Sequence, residues 1–291
     1  MTTPVRGETP LEKLVDLLDL ERIEVDIFRG KQPQDALQRV FGGQVAGQAL
    51  VAAGRTIPAD RPVHSLHAYF LRPGDPTVPI VYEVDRIRDG RSFSTRRVVA
   101  IQHGKAIFNL AASFQVAETG LEHERAMPDV APPEQLSRLE DRMQPYADEL
   151  GGWYVRPRPI DVRYVGDPPR VAMDTGVRRP SSQVWMRADG ELPDDPLLHV
   201  CAVTFASDMT LLDSTLLNHG LAWGTGDVLG ASLDHAMWFH RPFRADEWFL
   251  YDQESPWTGA SRGLARGAIY THDGHLAVSV VQEGLLRLPT R

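Results

Sequence analysis

Gly42-Gly43-Gln44-Val45-Ala46-Gly47-Gln48-Ala49-Leu50-Val51-Ala52-Ala53-Gly54-Arg55-Thr56-Ile57 is built almost wholly from small and apolar residues. They recur around the whole turn rather than along one stripe, so the segment reads as a helix enclosed by other structure. What encloses it follows directly in the chain. Val63 to Leu71, Val78 to Arg88, Phe93 to Gln102 and Ala106 to Gln115 read as strands, parted by Arg72-Pro73-Gly74-Asp75, Asp89-Gly90 and His103-Gly104. Those separators carry the turn chemistry of antiparallel connections. One buried helix followed by an antiparallel sheet is an α+β unit. Upstream, Leu11, Leu14, Val15 and Leu18 recur at helical spacing while Ile23, Val25 and Ile27 alternate, which predicts a short helix feeding a strand.

Residues 118 to 150 change character: Pro128, Pro132, Pro133 and Pro145 flank a charged helical stretch, Glu134 to Met143. Such a stretch reads as a connector. It divides the chain into a first unit over residues 1–120, a connector over 121–150 and a second unit over 151–291. The second unit repeats the plan of the first. Strand-like segments around Tyr154 to Val165 and Gln183 to Arg187 lead into Leu197 to Ala206, and a helical stretch then runs from Asp208 to a stop at His219-Gly220. Strands return at Ala231 to His240, Glu247 to Glu254, Gly263 to Thr271 and Leu276 to Leu286. Sliding the sequence along itself without gaps superimposes Arg72-Pro73 on Arg241-Pro242, Tyr82 on Tyr251, Gly90 on Gly259, Ser92 on Ser261, Arg97 on Arg266 and His103 on His272. A fixed offset between like units is the mark of internal duplication.

Longer motifs sit on this frame. Val40 to Leu50 and His64-Ser65-Leu66-His67-Ala68-Tyr69-Phe70-Leu71-Arg72-Pro73-Gly74-Asp75 lie in the first half. Ala206-Ser207-Asp208, Ser232-Leu233-Asp234-His235-Ala236-Met237-Trp238-Phe239-His240-Arg241-Pro242-Phe243 and Val281-Gln282-Glu283-Gly284 lie in the second. In this order the chain resembles the type II acyl-CoA thioesterases, the bacterial thioesterase B family. The resemblance implies a double hotdog, in which each half wraps an antiparallel sheet around one long central helix and the two sheets join. It implies hydrolysis of fatty acyl-CoA, with medium to long chains the family's usual substrates, and a homo-oligomer. The family's catalytic Asp, Ser or Thr, and Gln carry over by motif to Asp208, Ser232 and Gln282, all in the second half.

Alone, each of these residues has a plainer reading. Asp208 follows Ser207 at the expected strand-to-helix junction, where a carboxylate caps free backbone amides. The same position favours the ionised carboxylate, which can orient a water or take its proton. Attack by Asp208 itself, giving a mixed anhydride, is the alternative chemistry. Ser232 and Gln282 alone would be ordinary strand residues. For the oxyanion, the backbone amides of Gly43 and Gln44 at the start of the first-half helix are the candidates, since helix N-termini present unpaired N–H groups.

Several other patterns lead elsewhere. Gly259-Ala260-Ser261-Arg262-Gly263 matches Gly-x-Ser-x-Gly literally, but that serine needs a strand before it and a helix after it, and a strand is expected after Ser261. His64 with His67, and His235 with His240, lack the spacing of a helical zinc site. Gly224-x-Gly226 lacks the dinucleotide fingerprint. No metal or cofactor is implied beyond the CoA of the substrate.

The bulk composition agrees with an enzyme of this kind. A net charge of -8 over 291 residues argues against non-specific nucleic-acid binding, which needs many basic contacts to phosphate. No run approaches the ~20 apolar residues of a membrane helix, no signal peptide is legible, and the only cysteine, Cys201, lies in an apolar stretch. A cytoplasmic protein is expected. Two rival functions would leave different signatures. An enoyl-CoA hydratase would carry a His five residues after its Asp, where this chain has Asp213. A non-catalytic acyl-CoA binding protein would be expected to have lost a member of the trio.

Overall fold

The structure, a computed structural model, describes residues 9–33, 39–150 and 153–289. Helix α1 (Pro10–Leu18) opens with a capping box in which the Thr9 side chain and Glu12 satisfy each other's backbone amides. Leu11, Leu14 and Leu18 form its buried face. Strands β1 (Glu21–Glu24) and β2 (Ile27–Gly30) then form a hairpin. This corrects the single strand expected here: Asp26 turns the chain at φ 61°, so Ile23 and Val25 end up exposed.

Helix α2 (Gly42–Gly54) is buried from Gly43 through Ala53, as expected of a helix apolar all round. Strands β3 (Val63–Phe70), β4 (Ile80–Asp89), β5 (Phe93–Gln102) and β6 (Lys105–Gln115) follow. After them come a 3-10 turn at Pro133–Gln135 and a short helix α3 (Leu139–Met143). The rest of the chain gives β7 (Ile160–Tyr164), α4 (Pro169–Thr175), β8 (Ser181–Ala188), α5 (Pro196–Ser207) and α6 (Asp213–Leu217). It closes with β9 (Leu229–Ser232), β10 (Asp234–Phe239), β11 (Phe249–Gly259), β12 (Arg262–Thr271) and β13 (Leu276–Arg287).

All strands join one antiparallel sheet in the order β1-β2-β4-β5-β6-β3-β10-β13-β12-β11-β8-β7, with β9 also on β13. The two halves meet where β3 pairs with β10, Ala68 opposite His235 and Leu66 opposite Met237. On either side of that seam the order β3-β6-β5-β4 is mirrored by β10-β13-β12-β11, which is the duplication seen as an offset in the sequence. The paired tyrosines of the repeat do the same work twice. Tyr82 is buried and donates to Gln48 Oε1 of α2 at 2.7 Å, and Tyr251 is buried and donates to the Ser207 carbonyl of α5 at 3.3 Å.

The second central helix is the main departure from expectation. Leu197 to Ala206 forms the body of α5 and not a strand. An apolar run of this length fits either state by periodicity, and the deciding signal precedes it. Asp195 is the N-cap, its carboxylate accepting from the Leu197 amide at 2.9 Å, and Pro196 occupies the first turn.

The two central helices pack against each other and run antiparallel. A side-chain Cβ at Gly43 would meet the Phe205 carbonyl, one at Gly47 the Cys201 carbonyl, and one at Gly54 the Leu197 side chain. The end of α5 therefore meets the start of α2, and Asp208 lies at that junction.

Candidate active site

Asp208 is the C-cap of α5, with φ -85° and ψ -4°, and not the N-cap of a following helix. The dipole of its own helix disfavours a carboxylate there. Support comes from the other half of the chain, where the Gly43 backbone amide hydrogen-bonds the Asp208 carboxyl. Phe41, the N-cap of α2, offers no capping side chain, and Val45 N to Phe41 O at 3.3 Å closes the first helical turn. The start of α2 thus presents amides to an anion. Close approach is what the glycines permit: a Cβ at Gly42 would lie 2.6 Å from Asp208 Oδ2, and one at Gly43 would lie 2.4 Å from the Phe205 carbonyl oxygen.

Ser232 and Gln282 arrive from the sheet. Along β13, Val278, Val280, Gln282 and Gly284 share the buried face. Between β9 and β10 the pairing on β13 slips, from Ser232 opposite Gly284 to Ala236 opposite Val281. Leu233 is the extra residue of a bulge. Residues three apart in a regular strand face opposite ways, but this bulge turns both Ser232 and His235 to the face of Gln282.

The trio closes on itself. Gln282 Nε2 donates to Asp208 Oδ1 at 2.6 Å and to Ser232 Oγ at 2.8 Å, and Ser232 Oγ donates to Asp208 Oδ1 at 3.1 Å. Burial pushes the Asp208 carboxyl up to about 6, against the opposing pull of Gln282, Ser232, the Gly43 amide and the positive charge of Arg39. A carboxylate placed there can take a proton near neutral pH. Arg39 is held at the rim, its guanidinium donating to the Gly230 carbonyl at 2.7 Å.

Gly43 and Gln44 play different parts. The Gly43 amide is directed at Asp208. The Gln44 side chain turns to Gln32 Oε1 at 3.0 Å and the Lys31 carbonyl at 3.4 Å, and its backbone belongs to the first turn of α2.

Among the described residues the first half carries no second copy of the trio. The position of Asp208 at the end of α5 is taken at the end of α2 by Arg55. Where Ala265 faces Gln282 across β12 and β13, Arg96 faces Ala112 across β5 and β6. Where Ser232 faces Gly284, Val63 faces Phe114. Arg55, Val63 and Ala112 are not a hydrolytic set. Arg96 is buried and gives its guanidinium to Thr56, Arg88, Thr95 and Asp89, which fills the space with structure.

Other candidates stand apart from the junction. Ser261 sits exposed in the tight turn joining β11 to β12, at φ 58° beside Ala260 at φ 48°, and a strand follows it. His64 pairs with Ser113 Oγ at 2.8 Å, His67 packs edge-on to Trp238, and His240 pairs with Ser279 Oγ at 2.8 Å. Asp213 is buried and accepts from Trp223 Nε1 at 2.8 Å and from the Tyr164 hydroxyl at 2.5 Å, while burial raises its carboxyl to about 7. It is a core acid, not the partner base a hydratase needs. Among the described residues no cluster of three His, Cys, Asp or Glu is placed to hold a metal.

Comparison with known proteins bears on both halves. A family model described as acyl-CoA thioesterase matches residues 159–285, and one described as acyl-CoA thioesterase N-terminal domain matches residues 31–115. The chain is 42% identical to human acyl-coenzyme A thioesterase 8, over 97% of this chain and 92% of that protein. It is 40% identical to acyl-CoA thioesterase 2 of Haemophilus influenzae, over 95% of this chain and 98% of that one. Among solved structures, acyl-CoA thioesterase II TesB2 from Mycobacterium marinum superposes with a TM-score of 0.79 at 46% identity, covering 95% and 99% of the two chains. The chain belongs to the acyl-CoA thioesterase family, a family of thioester hydrolases.

Proposed function

We propose that the Asp208-Ser232-Gln282 junction hydrolyses fatty acyl-CoA of medium to long chain by direct attack of water. The observation that carries this reading is the closed set of hydrogen bonds among the three side chains at the end of α5, opposite the uncapped start of α2. Ser232 and Gln282 fix the carboxylate of Asp208 and the water beside it. Asp208 takes a proton as the water oxygen bonds to the thioester carbonyl carbon. The oxyanion that forms is assigned to the Gln44 amide, because the Gly43 amide is given to Asp208. Collapse breaks the carbon–sulfur bond, and the thiolate of CoA leaves with the proton held by Asp208. Free fatty acid and CoA are the products. Release of free thiol from palmitoyl-CoA by the purified protein tests the activity. Binding without thiol release would favour an acyl-CoA binding protein instead.

The base must be ionised, so turnover rises with pH through the Asp208 value of about 6 and then levels. A rate profile with no acid limb in that region would remove Asp208 from the base role.

The same reading places the protein in the cytoplasm, where the single buried Cys201 stays reduced. Among the described residues no helix is long and apolar enough to cross a membrane. It also takes residues 1–120 and 151–291 as two units joined by 121–150. We read the assembly as a dimer of double hotdogs or a higher even multiple, since a joined open sheet keeps edge strands, here β1 and β7, that call for covering. Light scattering at micromolar concentration should then give about twice the 32.4 kDa chain mass or more. A fully active monomer would contradict it.

A further inference from the structure

Gln282 shows only half of its amide to the trio. Its Nε2 serves Asp208 and Ser232, whereas its Oε1 is buried with no hydrogen-bond partner of good geometry among the described residues. An amide whose oxygen is unsupported is free to rotate by a half-turn. The rotated amide would aim oxygen at the Asp208 carboxylate, which repels it, and the trio would open.

Across the sheet from Gln282 stands His235. The register Ala236 opposite Val281, moved one step, sets His235 opposite Gln282, and both are buried on the same face. His235 Nδ1 is a second buried polar atom without a partner of good geometry, and the imidazole interacts with the Gln282 side chain. Its other nitrogen, Nε2, lies 2.8 Å from Ser207 Oγ. Ser207 is the last residue of α5, next to Asp208, and its hydroxyl also reaches the Thr204 carbonyl at 2.9 Å and Met237 Sδ at 3.6 Å.

We propose that His235 is a positioning residue which, held by Ser207, donates its Nδ1–H to Gln282 Oε1 and so fixes the Gln282 amide with its nitrogen toward Asp208. One polarity serves the whole relay, and it requires the single Ser207 proton to turn from the Thr204 carbonyl to the imidazole. The Ser207 hydroxyl donates to Nε2, Nδ1–H donates to Oε1, and Nε2–H of Gln282 donates to Asp208. The opposite tautomer would set a bare Nδ1 lone pair against a carbonyl oxygen in a buried place, an arrangement that costs both groups a hydrogen bond. The imidazole stays neutral, as the relay requires, because burial lowers its affinity for a proton to about 4. Ser207 on α5 and Gln282 on β13 face it from the neighbouring elements, with Ala68 opposite on β3.

The inference rests on Gln282 belonging to the active centre, and the experiment separates the two. His235→Leu removes both polar contacts at similar volume. It is expected to lower kcat by about tenfold to a hundredfold, the scale on which small misplacements of reacting groups act, with KM little changed. Its acid limb should move upward, because Asp208 loses the Gln282 bond that favours its ionised form. His235→Asn keeps an N–H near the Nδ1 position and is expected to recover most of the loss. Nitrogen-15 NMR of the wild-type protein should show His235 with the proton on Nδ1, which keeps the test open if the Leu variant does not fold. The inference is overturned if His235→Leu turns over at the wild-type rate, or if the proton sits on Nε2. Full activity in Gln282→Ala would instead overturn the reading of the trio itself.

Discussion

Asp208→Asn is expected to lower kcat by roughly 10²–10⁴-fold, the usual worth of a positioned general base, while the protein stays folded. The amide keeps an oxygen for the Ser232 and Gln282 bonds but cannot take a proton from water. Stability should move the other way. Asp208 holds its proton more tightly folded than unfolded, at about 6 against an ordinary 3.8. Its contribution to stability is therefore present in full below about 3.8 and lost as pH rises through about 6. Above neutrality the folded enzyme carries a carboxylate that burial disfavours, so the Asn variant should melt at a higher temperature than the wild type. A stabilised protein without turnover is the signature of a functional charge and not of damaged packing. Ser261→Ala serves as the control, since that serine lies in an exposed turn, and its kcat should match the wild type. Loss of turnover in Ser261→Ala with activity kept in Asp208→Asn would restore the serine-esterase reading.

Gly43→Ala should be costly in both stability and rate. The added Cβ would sit 2.4 Å from the Phe205 carbonyl oxygen and 2.6 Å from the Phe41 ring. The first of these is backbone and cannot swing away, so α2 and α5 must part. Overpacking of this kind costs about 1–3 kcal/mol, read as a lower urea midpoint with unchanged slope. Because the Gly43 amide also meets Asp208, the same displacement weakens the carboxylate's support, and kcat should fall with the midpoint. A variant as stable and active as the wild type would mean that the two helices are not held as tightly as this packing requires.

Much of this arrangement is legible in the sequence, and the parts that are not have physical reasons. The strands at 63–71, 93–102 and 276–286 announce themselves through alternation and Gly-bearing turns, because each buries one face and wets the other. Helix α5 does not, since its middle turn, Cys201 to Thr204, is buried all round and its apolar residues follow no period. Only Asp195-Pro196 marks its start, and once that is missed Asp208 is placed at the beginning of a helix and not at the end of one. The idea that helix amides support the Asp208 carboxylate survives, but the amides belong to α2 in the other half of the chain. Contact between residues 43 and 208 is tertiary, and no local pattern encodes it. His235 and Ser207 lie within the motifs that mark the family, yet their meeting depends on the bulge at Leu233. A one-residue slip between two short strands leaves no trace in composition.

Direct attack by water is the central claim, and one turnover in oxygen-18 water addresses it. With enzyme in excess over palmitoyl-CoA, the account predicts one labelled oxygen in the released fatty acid and none in the Asp208 peptide after digestion and mass spectrometry. Label in the Asp208 carboxyl would mean that the side chain had attacked the carbonyl and been released from a mixed anhydride, and the water mechanism would be wrong.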